Sequence, residues 1–155
     1  MKESAGKIFS IARDNQPVPG CTISSQEFQK NGYTFSYFSM AAHTDISAES
    51  YAYPKWLHVV AGTLTIYTPD GILQILQAGD SILTPRHIPI GMKAEIDTIY
   101  SELTLQEEST MNDIIKEGNV FQLANLVPYQ DGKIINMDII SDPKLKFVVM
   151  SLAAG

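Results

Sequence analysis

Glu49, Tyr51 and Lys55 put a carboxylate, a phenol and an ammonium into one short stretch of this chain. Together they could hydrogen-bond a polar ligand or carry out acid–base chemistry. A desolvated lysine loses basicity and can serve as a base or a Schiff-base nucleophile. A tyrosine can act as a general acid or donate to an oxygen-rich ligand. Each residue also has a plainer reading. The lysine can close a salt bridge or run its stem out to solvent. The tyrosine can fill space with its hydroxyl satisfied. For Lys55 the plainer reading is preferred, because charges in unusual settings mark functional sites only statistically. Tyr37, Tyr67, Trp56 and Met92 are pocket or interface candidates whose first expectation is core packing. There is no nucleophile elbow, phosphate-cradling glycine loop or paired-cysteine zinc spacing. The turns at Asp70-Gly71 and Asp131-Gly132 lack the rest of a calcium loop.

The composition narrows the setting. A chain of 155 residues, 45% hydrophobic and 18% charged, has the size of one globular domain with a real core. Seven Tyr and six Phe beside one Trp suit a β-rich chain. A net charge of −6 argues against a nucleic-acid partner, which demands a basic footprint. The single cysteine, Cys21, cannot form an internal disulfide and is read as a small core residue. Residues 1–10 lack the apolar run of a signal peptide, and no run reaches the roughly 20 apolar residues of a membrane span. The expectation is a cytoplasmic protein without membrane contact.

Strand signals dominate the elements that would position the polar trio. Residues 33–42 alternate, with Tyr33, Phe35 and Tyr37 on one face and Thr34, Ser36 and Phe38 on the other. Residues 56–68 read as one strand, a Pro-Asp-Gly turn follows, and 71–78 return as its hairpin partner. Further strands are expected at 81–84 and 98–106, with a proline-rich loop at 85–89. Many short strands with regular turns predict an all-β sandwich or barrel. One short helix is expected at 111–116, capped by Ser109 or Thr110 and ended by Gly118.

The chain also repeats itself. A shift of 112 lays residues 118–154 on 6–42 without a gap. Gly6/Gly118, Phe9/Phe121, Ala12/Ala124, Gly20/Gly132, Ile23/Ile135, Phe35/Phe147 and Ser39/Ser151 are identical, as are Ala41-Ala42 and Ala153-Ala154. Duplication of a structural unit is the reading. The second copy stops where the first reaches His43, with Gly155 at the equivalent position. The expected organisation is a barrel over 1–107, a helical linker over 108–117 and a partial repeat over 118–155. The repeat's apolar stretches 120–123 and 145–152 should add to a sheet. They are expected on their own barrel or exchanged with a partner in a homodimer.

Residues 43–94 resemble the two motifs of the cupin superfamily. In the second motif Gly79-Asp80 open, Pro85 falls six residues on, and Ile88-Pro89-Ile90 match the usual apolar-Pro-His. Ile90 thus stands in the histidine slot, His87 in the second glycine slot and Ala94 in the asparagine slot. The first motif closes on Gly62 after the apolar 57–61. Counting back, Lys55 holds the glutamate slot, Tyr51 and Glu49 hold the two histidine slots, and His43 holds the opening glycine slot. The resemblance implies a cupin-type double-stranded β-helix (jelly-roll) barrel with a pocket inside. It also implies a transition metal on three His and one Glu, and that implication fails slot by slot. Glu49, Tyr51, Lys55 and Ile90 offer a divalent ion one carboxylate, one phenol, one ammonium and one hydrocarbon.

No metal or other cofactor is expected. His43 and His87 could approach the barrel mouth and join Glu49 in a rearranged site, whereas His58 falls on the strand face opposite Lys55 and is expected to pack. Lys55 is expected to point inward, toward a carboxylate, with Glu49 the first candidate. The functional reading is a metal-free cupin that binds a small polar molecule or serves as an assembly module. The alternatives are an isomerase, lyase or epimerase working through Lys55, Tyr51 and Glu49, and a metalloenzyme with unusual ligands.

Overall fold

The computed structural model describes residues 4–107 and 109–153. Two sheets build the barrel. The first contains β1 (Thr22–Lys30) and β2 (Tyr33–Met40), and the second begins with β3 (Thr44–Ser50). Then come β4 (Lys55–Ala61), β5 (Thr63–Thr68), β6 (Gly71–Gln77), β7 (Asp80–Leu83), β8 (Pro89–Ala94) and β9 (Thr98–Thr104). The C-terminal part adds β10 (Thr110–Met111), β11 (Val120–Gln122), β12 (Ile134–Ser141) and β13 (Lys146–Leu152). Strand order is β1-β2-β9-β4-β7-β11 in one sheet, β3-β8-β5-β6 in the other, and β10-β12-β13 in a third. No helix among the described residues is long and apolar enough to cross a membrane.

Two apolar clusters follow from the two-residue period of the strands. In β4, Leu57 and Val59 face into the barrel, where they join Met40, Ile82 and Tyr100 from their own sheet. Leu64, Ile66, Leu76, Ile90, Met92 and Ala94 close that core from the opposite sheet. Trp56 faces outward and, with Leu83, Leu103 and Leu105, meets Ile139 and Ile140 of β12. The third sheet therefore covers the outside of the barrel.

The single strand expected over 56–68 is two strands that belong to different sheets. The break falls at Gly62, whose φ is +82° and whose Cβ, if it had one, would lie 2.3 Å from the Asp97 carbonyl oxygen. Only glycine passes the backbone through that corner. The helix expected at 111–116 is absent. The segment bonds to β12 instead: the Asn112 backbone N–H donates to the Ile139 carbonyl at 2.9 Å, and the Asn112 side-chain Nδ2 donates to the Asp138 carbonyl at 3.0 Å. The Ser109 hydroxyl accepts from Gln106 N–H at 3.1 Å instead of capping a helix. Pairing with β12 thus outcompetes local helix formation. A short helix does occur, at Ile11–Asp14, where the Ser10 hydroxyl accepts from Arg13 N–H at 3.3 Å. Cys21, expected in the core, is exposed.

The sequence repeat is a repeat of structure. Under the same shift, β12 overlays β1, β13 overlays β2, and the short helix overlays a 3-10 turn at Leu123–Asn125. Each hairpin carries a bulge at the equivalent point, between Gln26 and Phe28 in the first and between Asp138 and Ile140 in the second. Gly20 and Gly132 take φ of +73° and +67° in equivalent turns. β11 pairs antiparallel with β7 and extends the barrel sheet of its own chain. Ala154 and Gly155, where the repeat meets the motif's opening slot, lie outside the described residues.

The covering sheet is packed like core, since Ile139 and Ile140 have no exposed surface. Ile139→Ala should therefore cost about 3 kcal/mol in chemical denaturation, as for a residue inside the barrel. Trp56, the only tryptophan, gives a fluorescence readout at the same contact. A loss below about 1 kcal/mol would mean that the hairpin is loosely held.

Candidate functional site

The glycine slots of the two motifs show that the backbone frame is kept. Gly62 and Gly79 have φ of +82° and +93°, and the two histidines in the other slots, His43 and His87, have φ of +63° and +62°. All four positions take the left-handed conformation that glycine adopts most readily. The four glycine positions of the motifs thus share one backbone geometry, and the side chains in the ligand slots can be described one by one.

Lys55 opens β4 and is clamped at its backbone. Its N–H donates to the Thr84 hydroxyl at 2.8 Å, and its carbonyl accepts from Thr84 N–H at 2.9 Å. It shares the strand face of Leu57 and Val59, so its side chain runs along the barrel interior. The ammonium ends 2.9 Å from a carboxylate oxygen of Glu102, with side chains only 14% and 9% exposed. Glu102, not Glu49, is therefore the partner. The register explains it: β9 places Glu102 opposite Leu57 and Thr104 opposite Lys55, so lysine and glutamate are diagonal neighbours on one inward face. Glu49 lies across the barrel on β3, exposed, opposite Ile90.

Tyr51 bridges the two sides. Its ring lies under the Lys55 ammonium, 3.9 Å from nitrogen to centroid. Its hydroxyl donates to Glu49 at 3.3 Å. Burial raises the pKa of this phenol above the usual tyrosine value; Lys55 opposes the shift and Glu49 adds to it. Deeper in, Tyr100 is fully buried and stacked on Phe38 at 4.8 Å. Among the described residues its hydroxyl has no hydrogen-bond partner. Burial pushes its pKa well above the tyrosine range, and the charge of Glu102 and the nearby Tyr51 push it further. Glu102 and Tyr100 were not singled out from the sequence. The signal was their shared parity in 98–106 with the inward-facing residues.

The structure thus brings Glu49, Tyr51, Lys55 and Ile90 to one end of the barrel and adds Glu102 and Tyr100. It does not bring the histidines into that group. His43 precedes β3 at the other end of the strand, exposed, 3.4 Å from Glu95. His87 is exposed, and its contact with the site is through its backbone N–H to the Tyr51 carbonyl at 3.2 Å. His58 faces away from Lys55, stacks on Trp56 at 5.7 Å and meets the Ser81 hydroxyl through Nδ1 at 2.9 Å. Tyr37 and Met92 are buried, and the Tyr67 hydroxyl donates to the Ile46 carbonyl at 3.1 Å. Among the described residues, no three His, Cys, Asp or Glu side chains converge as a metal would need. The ligand slots do not fit a divalent cation, since a cation, Lys55, and a hydrocarbon, Ile90, hold two of them.

No protein-family model matches the sequence, and no curated protein matches it. Solved structures do. A cupin 2 conserved barrel domain protein from Leptotrichia buccalis is 19% identical, with a TM-score of 0.80 over 96% of this chain and 66% of that one. This chain thus spans just under two thirds of that protein. A conserved Streptococcus pyogenes protein of unknown function is 15% identical, with a TM-score of 0.63 over 68% of this chain and 92% of its own. A Klebsiella pneumoniae protein with a double-stranded β-helix domain is 19% identical, with a TM-score of 0.55 over 67% of this chain and 88% of its own. The likeness is one of fold, and the chain has the cupin fold.

Two predictions follow from the charges. Lys55→Met leaves Glu102 buried without its cation, and denaturation should show a loss of about 3 kcal/mol. Adding Glu102→Leu should recover most of that loss, because replacing both members of a buried pair is far cheaper than removing one. A double variant as unstable as the single one would mean that the pair is not the source of the effect. The second concerns His58, whose pKa burial lowers, with Asp80 acting weakly the other way. The unfolded chain then takes up this proton first as pH falls. Stability from His58 is complete above the ordinary histidine value of about 6.5 and is lost below it. Melting from about pH 7 to about pH 5 should show that loss, and His58→Gln should reduce it while His43 and His87 remain. An unchanged slope would assign the loss to other groups.

Proposed function

We propose that the barrel binds a small, oxygen-rich molecule at the end defined by Glu49, Tyr51, Lys55, Tyr100 and Glu102, and does so without a metal. The observation that supports this reading is the Tyr100 hydroxyl, buried beside an ion pair and without a partner among the described residues. Buried hydroxyls are rarely left unsatisfied, and a ligand oxygen is one way to satisfy this one. Nearer the mouth, Lys55 and Tyr51 offer donors and exposed Glu49 offers an acceptor. A sugar or hydroxy acid presents both kinds of group. A Schiff-base nucleophile needs a free amine with its lone pair available. The Lys55 nitrogen is instead tied to a carboxylate and a ring face, which supports binding over covalent catalysis.

The test is thermal stability against a panel of sugars and organic acids. A true ligand at about 100-fold its dissociation constant adds about 2.7 kcal/mol to the native state. Tyr100→Phe keeps the ring but removes the hydroxyl. It should leave the free protein as stable as before, or more so, and weaken the ligand's effect. A panel without a single shift, or a shift untouched by Tyr100→Phe, contradicts the reading. Turnover of a bound compound, abolished in Lys55→Ala, would make the chain an isomerase, lyase or epimerase instead.

A further inference from the structure

The second apolar cluster is not closed. Where the first hairpin, β4 and the β12–β13 turn come together on the outside of the barrel, a groove of about 280 Å³ remains. The first hairpin contributes Phe28 and Phe35. They are cross-strand partners beside the bulge of β1, and their rings stack with centroids 5.7 Å apart. β4 and β13 contribute Trp56 and Phe147, edge to face at 5.0 Å, and leucines such as Leu145 complete the apolar lining. The repeat shows that the opening is particular to this place. The equivalent of Phe28 in the second copy is Ile140, which has no exposed surface, whereas Phe28 is 39% exposed.

Two polar side chains line the groove, Trp56 and Lys146, and both are donors. Trp56 is 7% exposed, and its indole Nε1–H is buried with no acceptor among the described residues. A buried indole N–H ordinarily finds one. Lys146 carries the only charge on the lining, and its partner Asp138, at 3.1 Å, does not line the groove. The side chains thus offer a guest aromatic surface and hydrogen-bond donors, and no acceptor. We infer that the groove is a second binding site, outside the barrel, for a small planar aryl carboxylate. Its ring lies against Phe28 and Phe147, its carboxylate accepts from the Trp56 N–H, and Lys146 supplies the counter-charge. The volume is at the lower end for ligand clefts, which suits a single ring with a short acid arm. The indole nitrogen has no exposed surface, so the carboxylate reaches it only by displacing the atoms that cover it. The groove shares no residue with the barrel site.

The experiment is a titration of the isotope-labelled full chain with trans-cinnamate, followed by nuclear magnetic resonance. Trp56 is the only tryptophan, so its indole N–H gives one resonance. That resonance should move downfield and saturate as the carboxylate accepts its hydrogen bond. Cinnamylamine has the same shape and the opposite charge, and should leave the resonance in place. Phe28→Ala removes an exposed aromatic contact and should weaken cinnamate about tenfold. Circular dichroism checks that this variant keeps the fold. Cross-relaxation between the cinnamate ring and the Phe28 ring needs no variant and should be seen in the unmodified chain. An indole resonance unmoved by cinnamate, an equal response to the amine, an affinity indifferent to Phe28→Ala, or no cross-relaxation to Phe28 would each overturn the proposal. So would an affinity lost in Tyr100→Phe, which would seat cinnamate inside the barrel.

Discussion

A lysine whose ammonium lies inside a β-barrel has to be answered by another charge, and the arrangement of this site follows from that demand. Water cannot reach Lys55 freely, and the cost of burying a lone ammonium is several kcal/mol. Glu102 meets it from the neighbouring strand, and the Tyr51 ring closes over it. Tyr51, fixed in this way, carries its hydroxyl to Glu49 on the opposite sheet. Four polar side chains from two sheets and the β3–β4 connection are thus tied together at one end, beside the apolar cluster of the interior. Such a pair contributes little to stability beyond what hydrocarbon of equal volume would give.

The repeat shows how one sequence unit serves in two settings. Both copies form a turn of helix, a glycine-led turn and a bulged hairpin. The first hairpin is a wall of the barrel. The second lies against the outside of the barrel and turns its equivalent of the first hairpin's outward face toward Trp56, with Phe147 and the indole 5.0 Å apart. Phe35 and its repeat partner Phe147 belong to the same apolar cluster.

The strands that alternate cleanly were legible in the sequence. Tyr33–Met40, Gly71–Gln77 and Thr98–Thr104 fall where the pattern put them, and the faces of β2 are as read. β1 left no such signal because Thr-Ile-Ser-Ser-Gln-Glu-Phe-Gln-Lys exposes nearly all its side chains. β3 is masked by a bulge between Ile46 and Glu49 and by an exposed outer face. The helix at 111–116 failed because local propensity cannot register a partner strand that arrives from residue 134 onward. At the site, the inward direction of Lys55 was legible from its motif slot. Its partner was not, because Glu102 lies far along the chain and meets Lys55 only through the β4–β9 register.

Lys55 of the ion pair stands in a slot that the cupin resemblance assigns to a metal ligand, and that makes metal content decisive. Protein purified without an affinity tag can be measured by elemental analysis alongside its amino-acid content. If Lys55 and Ile90 have replaced the metal's ligands, Mn, Fe, Ni, Cu and Zn will all be far below one ion per chain. A transition metal at one per chain, lost on Glu49→Ala, would contradict this reading and return the site to metal chemistry.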